Sequence, residues 1–131
     1  MMHRVSLIGT LLTLWLAAPS WAHHSMSGFD RGKNVTLTGA VRQFKWANPH
    51  CWIEIEVPNA NGEVAVWNVE MTSPAVLIRA GWKSNSVKPG DKISVTGNPL
   101  QSGAPGAIFV SVTLENGQVL TQRPPTPETP R

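Results

Sequence analysis

At 131 residues, with 11 Lys and Arg against 8 Asp and Glu and a formal net charge of +3, the chain has room for one domain with a modest core. Its basic residues, from Arg31 and Lys33 through Arg79 and Lys83 to Lys92, are scattered rather than clustered, so the expectation is no nucleic-acid partner. Cys51 is the single cysteine; it excludes an intramolecular disulfide and reads as a small core hydrophobe.

Residues 1–22 carry the pattern of a secretory signal peptide. Met1-Met2-His3-Arg4 is a short basic start, Val5 to Ala18 is apolar, and Ser20-Trp21-Ala22 is a small-x-small cleavage site. The apolar run is shorter than the roughly 20 residues of a membrane span, and no other segment comes close. The expected mature protein is therefore periplasmic or secreted, with no membrane span after signal cleavage, and it opens His23-His24-Ser25.

Residues 23–32 form an N-terminal arm, followed by a β-rich domain over 33–122. Lys33 to Trp46 is a long strand pattern with Val35, Leu37, Gly39 and Val41 on one face, Gly39 marking a bend or bulge. From His50 to Val57 the alternation is clean: Cys51, Ile53, Ile55 and Val57 on one face, His50, Trp52, Glu54 and Glu56 on the other. Glu63 to Met71 is a third strand with Ala65, Trp67, Val69 and Met71 on its apolar face. A two-residue Asn61-Gly62 turn between these strands would mix their faces. A three-residue loop, Ala60-Asn61-Gly62, pairs Ile53 with Val69, Ile55 with Trp67 and Cys51 with Met71, and that register is adopted.

Ser73-Pro74 starts a short helix, with Ser as N-cap and Pro where a missing N–H costs nothing; Gly81 stops it. Lys88-Pro89-Gly90-Asp91 is a tight turn into a strand over Lys92 to Gly97. Ala107 to Leu114 is a further strand, with Ile108, Val110, Val112 and Leu114 expected inward, and Asn116-Gly117 leads into a short last strand, Gln118 to Thr121. Residues 123–131 are proline-rich and expected to be disordered or extended. Three strands, one helix and two or three strands give the fold class: all-β with one short helix, an OB-like small barrel of five to six strands, with a generic small β-sandwich as the structural alternative.

The adopted register puts Trp52 opposite Glu70, with His50 diagonal to Glu70, on the face where such barrels bind ligands. A terminal His23 chelates metal through its amine and ring nitrogen together, and His50 supplies a further imidazole for a Cu(II)-type site, with His24 competing. Glu70 would orient His50 from behind, and Met71 offers a thioether. No serine or cysteine sits in a recognisable nucleophile pattern, and Cys51 points to the face opposite His50, so no enzyme is expected.

The chain also resembles the small exported proteobacterial proteins grouped as a domain-of-unknown-function family, number six-one-five-two. The matching pieces are His23-His24-Ser25, Phe29-Asp30, Thr36-Leu37-Thr38-Gly39, Trp46-Ala47-Asn48-Pro49-His50-Cys51-Trp52-Ile53, Trp67-Asn68-Val69-Glu70, Leu77 to Trp82 and Lys88-Pro89-Gly90-Asp91. The resemblance implies a single periplasmic OB-like domain with no assigned catalytic residues; Cys51 departs from the small or apolar residue expected there. The resulting expectation is a periplasmic binding module that holds copper or a similar metal through His23 and His50, its partners a small ligand, a metal or an envelope protein. The alternative is an envelope protein-interaction domain without metal, anchored on Trp52.

Overall fold

The computed structural model describes residues 28–123. The elements are β1 (Val35–Lys45), β2 (Trp52–Pro58), β3 (Val64–Glu70), α1 (Pro74–Arg79), β4 (Lys92–Pro99), β5 (Gly106–Leu114) and β6 (Val119–Thr121). The signal segment, His23, His24 and the tail beyond Arg123 lie outside the described residues.

β1 is long because it serves two neighbours. Its first half, Val35 to Ala40, pairs antiparallel with β4, and its second half, Ala40 to Lys45, pairs with β2. Gly39 sits at the changeover, and a Cβ there would lie 1.9 Å from the Glu56 carbonyl oxygen. Glycine is required by this close backbone approach rather than by a bulge. The bulge falls three residues later, at Arg42, between the Val41 and Gln43 pairings.

The β2–β3 hairpin has the register that the loop argument selects: Trp52 opposite Glu70, Ile53 opposite Val69 and Ile55 opposite Trp67. Gly62 has φ +82°, the left-handed conformation that a three-residue bulged loop needs. Asn59 holds the loop by accepting the N–H groups of Asn61 and Glu63 on its side-chain oxygen.

The barrel closes where β3 pairs with β5 in parallel, Asn68 to Gly106 and Glu70 to Ile108. Around the barrel the strands run β1-β2-β3-β5-β4, with β6 added beside β5. This is an OB-type topology: five strands closed on themselves, one short helix and one extra strand. α1 is six residues long; Pro74 occupies its first turn and Leu77 is fully buried. Ser73 is its N-cap by backbone position, but its side chain makes no capping hydrogen bond.

The inward face of β5 departs from its alternation. Ala107, Phe109 and Val112 are buried, whereas Val110 is 40% exposed. The cause is a second bulge: Thr96 pairs with Ser111 but Gly97 pairs with Phe109, leaving Val110 unopposed. One extra residue inverts the parity of everything before it. The expectation of Ile108 and Val110 inward is corrected accordingly.

The core is aromatic toward the helix. Trp82 packs edge-on against Phe109 at 5.6 Å and tilts against Phe44 at 5.9 Å, while Phe44 meets Trp46 at 5.6 Å. The Trp82 indole N–H donates to the Thr121 carbonyl at 2.7 Å, so a buried indole keeps its polar atom satisfied.

Candidate functional site

β2 begins just after the Asn48–Pro49–His50 turn, whose Asn48–Pro49 peptide bond is cis. His50 projects toward the end of β3, and its Nδ1 lies 2.6 Å from Oε1 of Glu70. The imidazole is 38% exposed and the carboxylate 7%. A carboxylate this buried requires a partner, because desolvating an unpaired charge costs several kcal/mol. His50 is its only side-chain partner among the described residues.

The sequence places Glu70 on an open sheet face; the structure buries it. Outward orientation on β2–β3 does not mean exposure here, because the parallel pairing brings Ile108 of β5 alongside Glu70. His50 and Glu70 line a cavity of about 190 Å³ together with Met71, Thr72, Ile108 and Gln122. Met71 is 3% exposed and belongs to the core cluster, so its role as an open thioether platform is corrected to that of a buried residue at the cavity's edge. Trp52 is half-buried and lines a different cavity.

Gln122 escaped the sequence reading. Its side-chain oxygen accepts the Thr72 N–H at 3.0 Å and its amide donates to the Phe109 carbonyl at 3.0 Å. It therefore fills the seam that opens on β5 between the residues paired with β3 and those paired with β6. No local signal marks such a residue, since its partners lie 50 and 13 positions away.

Cys51 is fully buried on the opposite side of β2 from the His50–Glu70 pair, and burial pushes its thiol pKa up. That direction opposes thiolate chemistry. Among the described residues, no three His, Cys, Asp or Glu side chains cluster closely enough to hold a metal ion. His50 is the metal-ligand candidate within the described residues, while His23 and His24 lie outside them.

The profile of the family of unknown function DUF6152 matches residues 12–109, most of the chain. The chain belongs to that family. No curated protein matches it. Among solved structures, two crystal forms of Rim1, a mitochondrial single-stranded DNA binding protein from S. cerevisiae, are similar to this member of DUF6152. One has a TM-score of 0.49 at 12% identity and covers 63% of this chain and 93% of that chain. The other has a TM-score of 0.46 at 10% identity and covers 63% and 92%. The expectation of no nucleic-acid partner, drawn from scattered basic residues, is withdrawn, since it runs against what these neighbours are named for; the likeness itself shows the fold alone. Charge spacing along a chain does not by itself report how charges group on a folded surface.

Proposed function

We propose that this DUF6152 protein is an exported, non-catalytic binding module that takes a transition metal of the Cu(II) class at His50. The observation that carries the reading is the 2.6 Å contact between His50 Nδ1 and the buried Glu70 carboxylate. A carboxylate on one ring nitrogen fixes the tautomer and orientation of an imidazole, the usual arrangement behind a metal-bound histidine. With Nδ1 engaged, Nε2 is the nitrogen left for a ligand.

His50 alone is too few donors, and a signal-cleaved His23 supplies the rest as an amine and an imidazole in one chelate. The root of the arm supports this. Gly28 accepts the Gln101 N–H at 2.8 Å, and Phe29 bridges to Leu100. Arg31 lines a cavity with Ile108 and Gln122, and those two residues also line the His50–Glu70 cavity. Gly28 lies five positions after His23, a reach of up to about 17 Å when extended.

The test is a Cu(II) titration of protein beginning at His23, followed by calorimetry and electron paramagnetic resonance. One equivalent should bind with nitrogen hyperfine structure. Adding one alanine before His23, or His50→Asn, should each weaken binding about 100-fold or more. If both altered proteins take up copper like the parent, the reading is wrong. An interaction surface anchored on Trp52 would ignore the added residue.

A further inference from the structure

A second cavity, about 170 Å³, opens on the outer face of β1–β3 and is lined by Gln43, Lys45, Trp52, Glu54 and Asn68. It shares no lining residue with the His50–Glu70 cavity. The strand register builds it: Lys45 stands opposite Trp52, Gln43 opposite Glu54, and Glu54 opposite Asn68. One half-buried indole is thus surrounded by two amides, a carboxylate and an ammonium. Among the described residues, the side chains of Gln43, Lys45 and Asn68 have no hydrogen-bond partner, and Glu54 is only loosely paired with Arg42 at 3.8 Å.

We propose that this face binds a neutral oligosaccharide. An indole offers a flat apolar surface for the C–H face of a pyranose ring, and the surrounding amides both donate and accept, as sugar hydroxyls demand. A concave site with an aromatic wall and a few convergent polar groups is the general form of a small-ligand pocket. Charge supports an uncharged ligand, because Arg42 and Lys45 on this face are matched by Glu54 and Glu56.

The experiment is a titration of the nitrogen-15-labelled exported protein with cellotetraose and, separately, with the N-acetylglucosamine tetramer. The reporter is the Trp52 indole N–H resonance, assigned with Trp52→Phe. A saturable shift of that resonance and of β1–β3 amides with either sugar, leaving the His50 ring unmoved, is the expected result. Asn68→Ala should then weaken binding about tenfold. Trp52→Phe should keep the fold, shown by its amide spectrum, yet bind more weakly. The proposal is overturned if neither sugar gives a saturable shift up to about 10 mM. It is equally overturned if the shifts survive both substitutions unchanged, or if a single-stranded thymidine oligonucleotide saturates the same resonance at lower concentration.

Discussion

Phe109 joins two regions built on opposite principles. Its ring packs against Trp82 in the aromatic end of the core, while its backbone carbonyl receives the Gln122 amide beside the His50–Glu70 cavity. The first region is dry: Trp82 is 1% exposed and its one polar atom is satisfied by Thr121. The second gathers a carboxylate, an imidazole and an amide round open space. Dense apolar packing gives the barrel its stability, and the polar seam offers chemistry at the cost of packing.

The largest effect should come from Trp82→Ala, which removes a fully buried indole and two aromatic contacts. A loss of about 3–5 kcal/mol is expected in urea unfolding. If the loss is under about 1 kcal/mol, the aromatic end is not the stabilising region. On the polar side, Glu70→Gln preserves shape but removes the charge behind His50. Copper affinity should fall about 10–100-fold while the unfolding midpoint moves little. A large drop in stability with unchanged affinity would make the pair structural.

Gln122→Ala tests whether the seam also holds the barrel shut. It leaves the Thr72 N–H and the Phe109 carbonyl without their present partner, so a loss of about 1–2 kcal/mol is expected. Faster hydrogen exchange at Thr72 should accompany it.

The smallest effect concerns Cys51. Burial raises its thiol pKa in the folded state, so above about pH 8.5 the unfolded chain sheds a proton that the folded chain keeps. Stability then falls as pH rises through that window. Cys51→Ala should flatten this part of the pH–stability curve, and an unchanged slope would assign the alkaline loss to other groups.

Much of the architecture was legible in the residues themselves. The β2–β3 register followed from period-two alternation and the parity of one loop, and Trp52 duly faces Glu70. The helix start at Ser73-Pro74 was equally local, as was the tight turn in which Asp91 accepts the Lys88 N–H. The proximity of His50 to Glu70 came from the same hairpin logic, because both residues belong to one local pairing.

Closure of the barrel decided the rest. Sequence alternation placed Val110 inward, but a bulge opposite Thr96 and Gly97 turned it to the surface and buried Phe109. Glu70 lost its exposure only when β5, nearly forty residues later, paired beside it. Gln122 gained its role only because closing the sheet left a gap for it to fill. Side-chain alternation and loop parity act between neighbouring residues, so the chain alone determined them. Bulges, burial of outward-facing groups and seam-filling contacts answer to the geometry of a closed sheet, which exists only once distant strands have met.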